Sequence, residues 1–191
     1  MKNSSTPLTL LLFSLLGVAG CGTDTAPHSI TASKPVFVSA WPRFQHPTGI
    51  FSVAMPDTPK AQTMVVDNET RTIYATNLNK TCTVLAHNLP NAELIDISDH
   101  KACQESLHEF AVETFAGNKI LNERPYVQQG IYPSLELQME VTHPKGGIQR
   151  VRIVLLPNST VMIMVAGRGD EIDLPEVKEC LDSLQISALK K

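Results

Sequence analysis

The segment from Thr160 to Ala166, TVMIMVA, decides the fold. It is apolar at nearly every position, so a β-strand formed by it has two apolar faces. Such a strand needs cover on both sides, which predicts a central place in a sheet. The preceding segment, residues 148–156, follows a different pattern because Arg150 and Arg152 alternate with apolar residues. It predicts a neighbouring strand with one polar face.

Further strands are predicted on the N-terminal side of this pair, separated by short turns rich in Pro, Asn, Asp and Gly. The segments that carry the alternating pattern are 49–55, 62–66, 71–78, 81–86, 120–128 and 135–142. Short strands joined by turns indicate an antiparallel sheet.

Two helices interrupt the strands. Asp99 is a candidate N-cap of the first helix and Gly117 a candidate stop. Its inner stripe is predicted to consist of Cys103, Leu107, Phe110, Ala111 and Thr114. The second helix is predicted over residues 173–184, with Pro175 in its first turn and with Leu174, Val177, Leu181 and Leu184 facing inward. The fold class is therefore α+β, an antiparallel sheet with flanking helices.

The N-terminus carries an apolar run from Leu8 to Ala19 after Lys2. As a helix these residues would rise about 18 Å, which is short of the roughly 30 Å hydrocarbon core of a bilayer. The run is therefore typical of a signal peptide.

The apolar run leads into Val18-Ala19-Gly20-Cys21, which resembles the lipobox of bacterial lipoproteins. The resemblance implies cleavage before Cys21 and acylation of its sulfur and its new amino group. Stable anchoring requires more than one acyl chain, which a triacylated cysteine provides. Gly22 is not the Asp that often retains such lipoproteins in the inner membrane, so the outer membrane is favoured.

Three regions follow from this division: a signal peptide at 1–20, a lipidated cysteine with a flexible tether at 21–40, and a single globular domain at 41–188. The tether is rich in Thr, Ser, Ala and Pro, a composition typical of a solvated linker.

Within the globular part, three segments resemble a known family. They are FQHPTGIFSVAMP at 44–56, GIYPSLE at 130–136 and LDSLQI at 181–186. Their order and spacing resemble the PsbP-like α/β/α sandwich, a superfamily that includes the extrinsic photosystem II protein and many secreted bacterial lipoproteins. The resemblance implies the fold but no single function, and no recurrent catalytic residues accompany it.

Composition and motifs exclude several functions. The net charge is −3 and only 5% of the 191 residues are aromatic, so no nucleic-acid partner is expected. His108-Glu109 begins like a zinc-protease helix, but Val112 stands where the second histidine would be. There is no nucleophile elbow or phosphate loop. We therefore expect no enzyme, no metal and no cofactor.

Three cysteines remain if Cys21 is acylated. Cys103 and Cys180 could form a disulfide if the two helices pack on the same face of the sheet, but not if the sheet separates them. Cys82 also points inward and could replace either, and three buried free thiols are an equally good expectation.

These observations predict a membrane-anchored lipoprotein of the cell envelope, acting as a non-enzymatic binding or scaffold module with an envelope protein as a candidate partner. Two alternatives stay open. One is a photosynthetic accessory protein related to the extrinsic photosystem subunit, and the other is an enzyme with a scattered site.

Overall fold

The structure, a computed structural model, describes residues 41–66, 69–79, 82–91, 93–142 and 146–187. The predicted signal peptide at 1–20, the tether at 21–40 and the lipidation site Cys21 lie outside the described residues. No helix in the described part of the chain is long and apolar enough to cross a membrane.

The described ranges contain ten strands and two α-helices. The strands are β1 (Arg43–Gln45), β2 (Phe51–Ala54), β3 (Lys60–Val66), β4 (Glu69–Asn77), β5 (Thr83–Pro90), β6 (Lys119–Gln128), β7 (Tyr132–Glu140), β8 (Ile148–Leu155), β9 (Ser159–Gly167) and β10 (Gln185–Ile186). The helices are α1 (His100–Thr114) and α2 (Pro175–Asp182), and a short 3-10 helix at Gly169–Asp173 precedes α2.

Strands β3 to β9 form a seven-stranded antiparallel sheet in the order β3-β4-β5-β9-β8-β7-β6. Strand β9 lies at the centre of this order, and its residues Ser159 to Ala166 are all buried. This confirms the central place predicted for the doubly apolar segment. The three-stranded sheet β1-β2-β10 is separate, and it joins the start of the domain to its end.

Helix α1 begins where the sequence predicts, since the Asp99 side chain accepts a hydrogen bond from the backbone N–H of Ala102. It ends before Gly117, whose φ of +90° favours a residue without a side chain. Most of the predicted stripe is buried, but Phe110 is only partly buried. Helix α1 packs mainly on β7 and β8.

Helix α2 is shorter than predicted. Residues 169–173 form a 3-10 helix, and Leu174 is the N-cap residue and is exposed rather than inward-facing. Pro175 is the first helical residue, where its missing N–H costs no intrahelical bond. Val177 and Leu181 point into the core as expected, and Leu184 is buried just after the helix ends.

The large sheet separates two hydrophobic cores. On one face, α1 covers a core that includes Leu137, Ile153 and Met164. On the other face, α2 and the small sheet cover a core that includes Phe51, Ile163 and Leu181. The two helices therefore lie on opposite faces, which gives the α/β/α layering.

Candidate binding cleft and charged cluster

A cleft of about 530 Å³ opens on the α1 face, beside the N-terminal half of the helix. Its volume lies in the range of sites that hold one small molecule. Its wall is mostly apolar, with Leu107 and Phe110 from α1, Leu89 and Leu155 from the sheet, and Ile95 from the connection between β5 and α1.

The β5–α1 connection forms the second wall and is fixed to the β8–β9 turn. The backbone N–H of Ile95 donates to the carbonyl of Pro157 at 2.7 Å, and that of Asn91 donates to the carbonyl of Asn158 at 3.0 Å. Such backbone bonds hold an irregular segment in one place, so the cleft is a preformed feature of the fold.

Several polar groups of the cleft are satisfied within the wall itself. The Asn91 side chain donates to the carbonyl of Leu156 at 3.0 Å and accepts from the Thr160 hydroxyl at 3.0 Å. The Asp96 side chain accepts from the backbone N–H of Ser98 at 2.9 Å. These groups shape the wall, and their bonding capacity is partly used before a ligand arrives.

Arg71 stands at the far side of the cleft, on β4. Its neighbour His87 is buried, and its Nδ1 lies 2.9 Å from the carbonyl of Thr72. Burial, with a contribution from the charge of Arg71, lowers the pKa of His87. Because His87 is neutral at pH 7, Arg71 supplies the positive charge at this end of the cleft.

Cys103, one of the predicted disulfide residues, lines the cleft, and its thiol donates to the carbonyl of Asp96 at 3.4 Å. Burial and the nearby carboxylates of Asp99 and Asp96 raise the pKa of its thiol. The thiol therefore stays protonated and is a weak nucleophile near neutral pH.

The possible disulfide between Cys103 and Cys180 does not form, because the two helices lie on opposite faces of the sheet. Cys103 belongs to the core beneath α1, whereas Cys180 belongs to the core beneath α2, and the seven-stranded sheet lies between them. Bridged residues need Cα atoms within roughly 7 Å of one another. Cys82 shares the core of Cys180, and all three cysteines are buried free thiols.

A charged cluster occupies the α2 face of the sheet. The carboxylate of Glu136 on β7 receives hydrogen bonds from three arginines: Arg150 at 2.7 Å, Arg152 at 2.9 Å and Arg124 at 3.1 Å. Burial alone would raise the pKa of Glu136, but the bonds from Arg150 and Arg152 lower it to about 2. The carboxylate is therefore ionised at every physiological pH.

Arg152 links this cluster to α2. It donates to the carbonyl of Leu181 at 2.6 Å and to the Asp182 carboxylate at 2.5 Å, and its guanidinium lies 5.5 Å from the ring centre of Tyr126. A cation at a helix C-terminus is favourably placed against the helix dipole. Arg152 thus connects the cluster to the C-terminal end of α2, whereas Arg124 and Arg150 bond Glu136.

The histidines and cysteines at described positions do not gather around a common point. In the part of the chain that the structure describes, no group of three or more His, Cys, Asp or Glu side chains is placed to hold a metal ion. His108, the residue that begins like a zinc ligand in the sequence, has its Nδ1 2.8 Å from the carboxylate of Glu123 on the solvent side of α1.

The cleft is the feature that sequence reasoning missed. Its lining residues come from β4, β5, β8, β9 and α1, together with the β5–α1 connection, which has no regular pattern. Arg71 and Ile73 are two residues apart on one strand, so their side chains lie on the same face of the sheet. This placement of a charged residue beside an apolar one is the one signal of the cleft in the sequence.

Comparison with known proteins supports the fold. No protein-family model matches the chain, and no curated protein sequence is significantly similar to it. Among solved structures, cyanobacterial PsbP (CyanoP) from Synechocystis sp. PCC 6803 is similar with a TM-score of 0.52 at 8% identity, covering 83% of this chain and 99% of that chain. A protein of unknown function from Pseudomonas aeruginosa aligns with a TM-score of 0.46 at 7% identity, covering 68% of this chain and 99% of that chain.

The domain therefore has the PsbP-like α+β fold, as the sequence resemblance implied. At this level of identity the likeness concerns the arrangement of strands and helices alone, and function has to be argued from the site.

Proposed function

We propose that the protein is a lipid-anchored lipoprotein of the cell envelope and that its PsbP-like domain is a non-enzymatic binding module whose ligand site is the α1 cleft. The observation that carries the proposal is the cleft itself. It is preformed, mostly apolar and large enough for one small molecule.

The chemistry of the cleft favours binding over catalysis. The thiol in its wall, Cys103, has a raised pKa, and its hydrogen-bond partner is a backbone carbonyl rather than a base. The carboxylate in the wall, Asp96, is solvated, and hydrogen bonds from Ser98 lower its pKa. Neither group is tuned for proton transfer near neutral pH.

The sequence around Cys21 supports the anchor, because VAGC follows an apolar run too short to span a bilayer. A tether of about twenty residues would let the domain move relative to the membrane surface. In a cell that has an outer membrane, the protein is proposed to be anchored there, because Gly22 rather than Asp follows the cysteine.

The anchor is tested by growing the host with labelled palmitate and comparing the wild type with Cys21→Ala. We expect label in the wild type and none in Cys21→Ala, which should accumulate as an uncleaved precursor. Cys103→Ala is the matched control and should retain full labelling, because its thiol lies in the folded domain. Equal labelling of Cys21→Ala and the wild type would refute the anchor.

The binding site is tested on the full chain with a photoreactive long-chain alcohol that carries a diazirine, followed by peptide mapping of the labelled positions. We expect label on residues of the cleft wall, and loss of that label in Ala102→Trp, which fills the cleft from α1. Val112→Trp is the matched control, because Val112 is 48% exposed on the same helix and does not line the cleft. If Ala102→Trp were labelled at the same positions and to the same extent as the wild type and Val112→Trp, the cleft would be refuted as the site.

Crosslinking in the native envelope distinguishes the remaining roles. A stoichiometric envelope protein would add a scaffold function to the binding module. Capture of a photosystem subunit would instead support the accessory role suggested by the extrinsic photosystem protein.

A further inference from the structure

The geometry points to the class of ligand that the α1 cleft takes: we infer a single-chain amphiphile with a carboxylate head group, with its head at Arg71 and its apolar chain against α1. This inference rests on the proposed function, because it names the ligand of the same site. Three features of the cleft carry it.

The first feature is the separation of charge and apolar surface along the cleft. Arg71 is on β4, whereas Leu155 is on β8, and β5 and β9 lie between them in the sheet. Three strand spacings amount to about 14 Å. The positive charge is thus at one end, and the apolar wall formed by Leu107, Phe110 and Leu155 is at the other.

The second feature is the position of the acidic residue in the wall. The backbone carbonyl of Asp96 accepts a hydrogen bond from the thiol of Cys103 on α1, so Asp96 lies on the helix side of the cleft. Arg71 is on the opposite side, across the strands. An anionic head group at Arg71 therefore lies on the opposite side of the cleft from Asp96.

The third feature is the bonding of the groups between the two ends. Asn91 and Thr160 are bonded to each other, and Asn91 also donates to the carbonyl of Leu156. A ligand that crosses this part of the cleft has little need of polar groups there. Arg71 carries a positive charge and five N–H donors in a planar fork, a geometry that matches a carboxylate.

The test compares two photoreactive probes on the full chain under identical conditions, a diazirine-bearing fatty acid and the fatty alcohol of the same chain length. Both offer the same apolar chain, and only the acid offers a charge. We expect the acid to label the cleft wall at roughly tenfold lower concentration, the size of effect expected of a hydrogen bond to a charged group.

Arg71→Gln should bring the acid to the level of the alcohol and leave alcohol labelling unchanged, which also shows that the variant is folded. Arg71→Lys should keep part of the preference, because the charge remains. Arg124→Gln is the matched control: this arginine is 64% exposed and lies on the other face of the sheet, so both probes should label as in the wild type.

The outcomes separate the two proposals. Equal labelling by acid and alcohol, or a preference for the acid that survives in Arg71→Gln, would overturn the ligand class while the cleft stands as a binding site. Absence of label from the cleft wall with both probes would overturn both the ligand class and the site.

Discussion

Arg152 and Glu136 form a buried ion pair across neighbouring strands, with Nε of the arginine 2.9 Å from the carboxylate and side chains that are 8% and 10% exposed. The same guanidinium bonds the carbonyl of Leu181 and the carboxylate of Asp182. One side chain therefore joins the end of α2 to Glu136 on the sheet.

We predict that Glu136→Gln lowers the free energy of unfolding by about 3 kcal/mol, because removing one partner leaves buried positive charge uncompensated. Arg152 keeps its ion pair with Asp182, and this limits the loss of stability to the low end of the usual range. Unfolding in urea measures it. Glu140→Gln is the control, since its pair with Lys119 is exposed and 3.8 Å long, and it should cost less than about 1 kcal/mol. Similar losses in both variants would contradict the role of the cluster.

Stability should fall in two stages as the solution is acidified. Burial is the main cause that lowers the pKa of His46 and of His87 below 6.5, so the folded protein takes up these protons less readily than the unfolded chain. Stability therefore declines as the pH falls below about 6.5. Glu136, whose pKa is lowered from 4.5 to about 2, adds stability that is present above 4.5 and lost as the pH falls toward 2.

The measurement is the free energy of unfolding against pH for the wild type and two variants. His87→Asn can still donate a hydrogen bond to Thr72. It should make the decline in stability below pH 6.5 less steep, with the His46 contribution remaining, and leave the part of the curve below pH 4.5 unchanged. For Glu136→Gln, the gap between its free energy of unfolding and that of the wild type should narrow as the pH falls from 4.5 to 2, because a protonated Glu136 resembles Gln. A gap that stays constant over that range would show that Glu136 does not titrate with a lowered pKa.

The elements of this fold were predictable where the signal is local. The apolar run of β9, the Asp99 cap and the stripe of α1 each lie within one segment, and the structure has them where the patterns indicate. A stripe shows that a helix has an inner face but not which face of the sheet receives it. The sequence therefore does not decide between a bridge from Cys103 to Cys180 and free thiols, and the structure has free thiols.

The cleft and the charged cluster lie beyond such reasoning for the same physical cause. The bond between Thr160 and Asn91 joins residues 69 apart in sequence, and that between Arg152 and Asp182 joins residues 30 apart. Alternation in β8 predicts a polar face for Arg150 and Arg152. It does not reveal that α2 and Glu136 meet them there.

The three cysteines should differ in their reaction with methyl methanethiosulfonate, a small uncharged thiol reagent. Cys103 lines the cleft and should be modified first in the native protein. Cys82 and Cys180 are fully buried, and burial raises the pKa of their thiols to about 11 and about 12. They should react only through unfolding, since the thiolate is the reactive form.

Peptide mass spectrometry over a time course measures these rates. In urea the three sites should react at similar rates, which provides the control for intrinsic reactivity. A peptide that links Cys103 to Cys180, or native modification of Cys180 as rapid as that of Cys103, would contradict the placement of the two helices on opposite faces.

Leu107 and Phe110 separate the core function of α1 from its place at the cleft. Leu107 is 2% exposed, and we expect Leu107→Ala to lower the free energy of unfolding by roughly 2–5 kcal/mol, because it leaves a cavity beneath the helix. Phe110 lies in the cleft wall and is only partly buried, so Phe110→Ala should lower the free energy of unfolding by less than the roughly 3–5 kcal/mol of a fully buried phenylalanine. In the same urea titration, the loss should also be smaller than that of Leu107→Ala. Its main effect should be on binding, seen as reduced photolabelling of the cleft by the long-chain alcohol in protein that remains folded. If Phe110→Ala destabilised the protein more than Leu107→Ala did, Phe110 would be part of the closed core, and the cleft would be narrower than the structure has it.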